Sequence, residues 1–407
     1  MSAADPPGIQ TLPDELADRA DWLEPFPWYR EMRETKPVRW DARRRTWDVF
    51  QYEDVKRVLA DDETFSVNPR NADDFEEPDR PEEGLIFETM LFQDPPRHDE
   101  LRGVVDAAFE PRAVRELEPR IRSCAGDLLA DTLDADTGEF DLVEAYSYPM
   151  PVIVIAGLLG VPADDRDQFK RWSESLVEAA NAGEDTAAVL DRQQEQLFEM
   201  ASYFLAMIED RRESPRGDLL SVLTRDQHGG DRLTHEEVLG TCMLLLVAGN
   251  ITTTNLITNA VRCFDNHDLF PSLRGDRSIQ RALEEVLRYR SPVQAMGRVA
   301  RADVTLGAEQ IDAGDRVVVW LGSANRDEGQ FPDAGTFRPD RTPNQHLAFG
   351  HGTHYCLGAP LARLEAAVAI EELLTHTDEL AVTHDQLTPT RSSLVYGVES
   401  LSLSYSR

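Results

Sequence analysis

The segment Phe349-Gly-His-Gly-Thr-His-Tyr-Cys-Leu-Gly-Ala-Pro360 runs directly into an amphipathic stretch, Leu361–Thr375. Pro360 suits a first helical turn, where its missing N–H would have had no partner anyway. Cys356 therefore sits just ahead of a helix N-terminus. The free N–H groups and the positive dipole end found there stabilise a thiolate. Gly352 and Gly358 permit close backbone approach and positive φ around the sulfur. Whatever the rest of the chain does, it must fold so as to hold this loop against the start of this helix.

Three chemistries fit such a cysteine. It can be a buried structural thiol, the usual state of a lone cysteine. It can join His351 and His354 in a zinc site, although that spacing lacks a clear fourth ligand. Or its thiolate can be the axial ligand of a haem iron, to which it donates electron density. The other cysteines, Cys124, Cys242 and Cys263, lie far apart and form no CxxC pair, as expected of reduced thiols in a large chain.

The 407 residues are 41% hydrophobic, enough for a large core. Helical periodicity covers about 96–132, 164–181, 185–212, 234–264, 278–290 and 359–376. Strand-like pieces are fewer and shorter: Val38–Trp40 with Trp47–Phe50, Arg298–Leu306, Arg316–Leu321, Leu380–Thr383 and Leu401–Tyr405. A low-order acidic stretch, Asn68–Glu83, precedes apolar Gly84–Phe92 and reads as a long loop that closes onto something. The expectation is a mainly α fold with small β-sheets (α+β), with 1–20 a polar N-terminal extension and 21–407 a single domain. The apolar runs Met150–Pro162 and Cys242–Gly249 are too short to span a bilayer, and the polar start shows no leader, so a cytoplasmic, membrane-free monomer is expected. Seventy-five acidic residues against 42 basic ones give a net charge of −33, and only Lys36, Lys56 and Lys170 are lysines. A positive field for nucleic acid is absent. Such self-repulsion is tolerable where salt shortens the Debye length to about 3 Å, near molar ionic strength, which points to a salt-adapted host such as a halophilic archaeon.

Phe349, Gly352, Cys356 and Gly358 form F-x-x-G-x-x-x-C-x-G, which resembles the haem-binding signature of the cytochrome P-450 family. Composition alone would produce that pattern around one of four cysteines about six times in ten thousand. Companion motifs extend the resemblance from about residue 20 to the end. Glu285 and Arg288 form E-x-x-R on one helix face, a spacing that Glu209 and Arg212 also show. The resemblance makes Glu285, Arg288 and Arg341 a structural triad under the cysteine loop. It places His98 and Arg102, at i and i+4, with Arg298 and His354 against the propionates of a thiolate-ligated haem b. It counts Ala248, Gly249, Phe349 and Gly358 among the haem contacts, with Cys356 as the metal ligand.

On the oxygen side the sequence reads Ala248-Gly249-Asn250-Ile251-Thr252-Thr-Thr-Asn255. Threonines inside an apolar helix are costly unless functional or bonded back to the i−4 carbonyl, which suits Thr253 and Thr254. The family pattern is A-G-x-(D/E)-T. Thr252 matches; Ile251 stands where the acid belongs, so proton supply would fall to Thr252 and to water arranged by Asn250. The resemblance puts the substrate pocket at Leu85, Ile86, Phe87 and Leu91, at Met243–Thr252, at Val293–Met296 and near Val395–Tyr396, a mostly apolar wall for an apolar organic substrate. With no flavin or iron–sulfur module in the chain, electrons would come from a ferredoxin-type partner and its reductase, docking near Arg112, Arg115 and Arg363. The expected activity is insertion of one oxygen atom from O2. A peroxide-driven oxygenase and a non-enzymatic haem sensor or carrier are the alternatives.

Overall fold

The computed structural model describes residues 12–77, 85–165, 168–169, 171–172, 187–225, 233–275, 278–383, 386–390 and 394–407. The later part of the acidic loop and most of the expected helix over 164–181 lie outside them.

The fold is mainly helical, with three small sheets among the described residues. One helix, His235–Asn266, organises it. Thr234 caps it through Glu237 N–H while the Glu237 carboxylate accepts from Thr234 N–H, a reciprocal capping box. Pro149–Leu159 and the helix that follows the cysteine loop, Ala359–His376, both pack on it. Ala359–His376 also packs on Glu118–Thr132 and Ile279–Tyr289, so it is covered on several sides.

The helix expected over 96–132 is three: Arg97–Phe109, Pro111–Glu116 and Glu118–Thr132. Pro111 forces the break, because proline drives its predecessor out of the helical region, and Glu110 sits at φ −57°, ψ 145°. Pro149–Leu159 carries no helical period because it is apolar all round and mostly buried; Gly160 ends it at φ +84°. The short amphipathic helices Phe26–Thr35 and Tyr52–Ala60 were not among the expected ones.

The larger sheet has the order Val38–Asp41, Thr46–Val49, Arg316–Trp320, Ala295–Ala300, Phe65–Ser66, antiparallel except between the second and third strands. The strand expected over Arg298–Leu306 turns at residues 301–303 and re-forms as Val304–Leu306, paired with Glu309–Ile311. A three-stranded sheet joins Thr137–Asp141, Ser402–Ser406 and Glu379–Val382.

Two expectations change. Residues 12–20 are not a loose polar extension: Leu16 is buried against Trp28, Tyr29 and Trp320, and Arg19 pairs with Glu399 at 2.8 Å. And the run Cys242–Gly249 belongs to a helix that is long and apolar enough to cross a membrane by composition; 67% of that window is buried inside the protein, where the helix forms core.

Candidate active site

The cysteine loop is built by its backbone. Gly350 and Gly352 take φ +74° and +75°, and a Cβ on Gly352 would stand 2.7 Å from the Leu59 carbonyl oxygen, so only glycine fits. Gly358, expected to share that freedom, caps the helix at φ −77°. A Cβ there would make only ordinary contact with the Cys356 sulfur, at 4.0 Å. Cys356 N–H donates to Phe349 O at 2.9 Å, which closes the loop. Burial raises the Cys356 thiol above its ordinary range, while the Gly358 and Ala359 N–H groups and the charges of Arg102 and Arg363 pull it down. The fold thus aims donors at the sulfur without ionising it alone; a coordinated cation deprotonates such a thiol outright.

Beneath the loop, Glu285 and Arg288 are both fully buried. Arg288 holds the carboxylate with a fork at 2.7 and 2.8 Å. Arg341 adds Nε at 3.0 Å, and Asn344 and the Arg338 N–H complete the acceptor shell. Arg288 also donates to the carbonyls of Asn325, Ala334 and Thr336. The pair with identical spacing, Glu209 and Arg212, is 3.7 Å apart with Glu209 61% exposed. Burial and the carbonyl harvest separate the two, and spacing does not.

Three of the four expected propionate residues come together. The His98 and His354 rings lie 4.2 Å apart. His354 Nε2 is buried with no hydrogen-bond partner among the described residues. Burial and the charges of His98, Arg298 and Arg102 lower the His354 pKa to about 3. Arg298 is buried, donates to its neighbour's carbonyl, Gly297 O, and is lowered to about 10 by burial. An orphaned imidazole nitrogen beside an ill-compensated guanidinium is a cradle for anionic oxygens, and it fits the carboxylates of haem. It also draws His354 away from a zinc set with His351 and Cys356. The charge of Arg102 also reaches His354, but its donors go to the Thr353 and Tyr355 carbonyls and to Asp106, which pins the cysteine loop.

On the opposite side, Ala248, Gly249, Ile251 and Thr252 form the partly exposed stretch of the otherwise buried helix. Thr252 Oγ1 donates to Ala248 O at 2.9 Å, so the back-bonded threonine is this one. Thr254 donates to Ser147 O and to Asn250 Oδ1, and Thr253 bonds Glu365. Asn250 is fully buried and lies about 200° around the helix from Thr252. The structure therefore does not bring Asn250 beside Thr252.

Val293 and Val395 are joined by a β-bridge, with Met296 on the adjoining strand. Phe87 packs edge-on between Phe75 and Phe92, and Leu91 is 47% exposed. Met243 is half-buried against the core, and the side chain of Leu85 lies outside the described residues.

Sequence reasoning missed Glu365, a carboxyl buried on the helix after Cys356 and raised by burial to about 8. It also missed Glu284 and His346, which bond each other at 3.0 Å. Neither carries a motif; only packing marks them.

The family model described as cytochrome P450 matches residues 29–264 and 278–396. The chain is 39% identical over 388 residues to the putative cytochrome P450 YjiB of Bacillus subtilis (strain 168), covering 94% of each. It is 39% identical over 379 residues to the erythromycin C-12 hydroxylase of Saccharopolyspora erythraea, covering 92% of each. The crystal structure of CYP109E1 from Bacillus megaterium in complex with corticosterone superposes with TM-score 0.84 at 40% identity, over 94% of this chain and 98% of that one.

Proposed function

The chain belongs to the cytochrome P450 family and is a monooxygenase that uses thiolate-ligated haem b; from that premise we propose which of its residues do what. Bound here, haem supplies the activation of dioxygen for transfer of one oxygen atom. Cys356 would hold the haem iron through its sulfur. The single observation that carries this is the half-buried sulfur faced by the Gly358 and Ala359 N–H groups at a helix start. His98, Arg298 and His354 hold the propionates, and Arg102 holds the loop. Glu285, Arg288 and Arg341 are scaffold.

Thr252 is the proton-handling group of the distal helix. Its own hydrogen is committed to Ala248 O, which leaves its oxygen lone pairs as acceptors. To pass that hydrogen on, it must let go of the carbonyl. Asn250 supports the helix from behind, through Thr254. The substrate is an apolar organic molecule held by Phe87, Met243, Val293, Met296 and Val395, in keeping with relatives that bind corticosterone or hydroxylate erythromycin.

Electrons come from a ferredoxin-type protein with its reductase. A depression beside Cys356, lined by Arg102, Asp106, Tyr355 and Leu357, gives the sulfur side access to the surface. Arg112 and Arg115 are exposed nearby, whereas Arg363 is bound to Glu284. We take 21–407 as one catalytic domain of a cytoplasmic protein from a salt-rich host, the charge of −33 being the support.

The test is a spectrum of the reduced, CO-bound protein. It is expected to show the red-shifted Soret band of thiolate-ligated haem, and Cys356→His is expected to lose it. Retention of the band in that variant would remove Cys356 as ligand. Ile251, in the place of an acid, favours one second reading, a peroxide-driven oxygenase. Product formation with peroxide and no reductase, at a rate matching the reductase-driven reaction, would favour it.

A further inference from the structure

Arg363 stands on the helix after the cysteine, two turns beyond Cys356 in the chain. It was a candidate for partner docking, but its donors are taken. Nε and Nη2 hold both oxygens of Glu284 at 2.6 and 3.0 Å, and Nη1 reaches Tyr355 Oη at 3.2 Å. Burial raises the Glu284 carboxyl, yet bonds from His346 and Arg363 outweigh it and hold that carboxyl at about 2. Burial lowers Arg363, and the bonds to Glu284 and Tyr355 more than reverse that. The ion pair is therefore fixed and fully charged at neutral pH.

The fork decides where the rest of the guanidinium goes. Its carbon lies 4.5 Å from the centroid of the Phe349 ring, a cation–π contact. Phe349 is the residue whose carbonyl accepts the Cys356 N–H. The second partner of Glu284, His346, has its ring 6.2 Å from that of Phe349, and its Nδ1 accepts the Ala348 N–H one residue before the ring. Glu284 lies next to the triad's Glu285 in the chain. One carboxylate thus gathers Arg363 and His346 onto the residue that closes the cysteine loop. The charge of Arg363 also stabilises the Cys356 thiolate.

We propose that Arg363, pinned by Glu284 over the Phe349 ring, is a positioning residue that weakens electron donation from the Cys356 sulfur and so sets the reduction potential of the iron. This rests on Cys356 being the axial ligand. A fixed positive charge near the thiolate stabilises the reduced, more negative form of the site. Its removal makes the iron harder to reduce. The same geometry withdraws Arg363 from the set of free surface cations open to a redox partner.

The test is a redox titration of the haem-loaded protein, with the ferrous CO spectrum recorded beside it. Arg363→Gln is expected to keep the thiolate-type CO band, shifted in position, and to have a more negative potential than the wild type. Arg363→Lys, which keeps the charge but not the fork, is expected to fall between the two. A purely structural role for Arg363 would lower haem content or melting temperature and leave the potential of the loaded fraction unchanged. Wild-type potential in loaded Arg363→Gln overturns the proposal. If that variant does not load haem, Arg363→Met, which also removes the charge, carries the test, and an unshifted potential in it overturns the proposal equally. Absence of the thiolate band from the wild type would instead sink the assignment of Cys356.

Discussion

Thr252 and Glu365 are polar groups on either side of one helix–helix contact, and they differ in what the sequence reveals of them. Thr252 stands in a recognisable pattern, and its back-bond to Ala248 leaves its oxygen free to accept. Thr252→Ala is expected to raise peroxide released per electron consumed, with substrate binding largely intact; measured coupling equal to wild type would remove Thr252 from proton handling. Glu365 is invisible in the chain, because a single glutamate on a helix reads as a solvated charge and no motif marks it. Packing on several sides buries it, and burial lifts its pKa from 4.5 to about 8. The folded protein keeps this proton up to about pH 8, whereas the unfolded chain sheds it above about 4.5. Between those limits the unfolded chain binds fewer protons, so stability falls as pH rises, by at most about 1.4 kcal/mol per pH unit. Glu365→Gln is expected to flatten that fall, read from urea midpoints of the holoenzyme at pH 5 and pH 8. An identical pH slope in the variant would refute the buried neutral carboxyl.

At the scale of elements, the loop–helix unit around Cys356 was readable as a unit because proline, glycine and cysteine mark it locally. Its foundation was only half readable. Glu285 and Arg288 are visible as a spacing and Arg341 only through the family resemblance, while the carbonyls of Asn325, Ala334 and Thr336 carry no side-chain signature. Arg288→Ala would leave the Glu285 carboxylate buried with one charged partner fewer, a loss on the order of 3–5 kcal/mol. The expected outcome is a protein with little haem and an earlier urea transition; full haem occupancy would show that the triad is not the loop's foundation. The helix over 96–132 illustrates the opposite failure. Its periodicity continues through Pro111, while the backbone does not.

At the scale of the whole molecule, helical periodicity carried the mainly helical class, and the sheets were legible only in their longer strands. Thr137–Asp141 went unseen because its pairing with Ser402–Ser406 joins segments far apart in the chain. The charge of −33, with three lysines in 407 residues, is a property of no single element. Its repulsion is screened as ionic strength rises. The melting temperature is expected to climb along a KCl series toward molar salt, and a fall with added KCl would refute adaptation to a salt-rich interior.

The bridge between Val293 and Val395 also bears on how such an enzyme changes over time. The two segments are fastened by their backbones: Gln294 N–H donates to Leu394 O at 2.9 Å and Tyr396 N–H to Pro292 O at 2.7 Å. Main-chain bonds do not depend on which side chain is present. The frame is inherited separately from its lining, so a lineage can exchange the residues that meet a new molecule while the iron site stays in place.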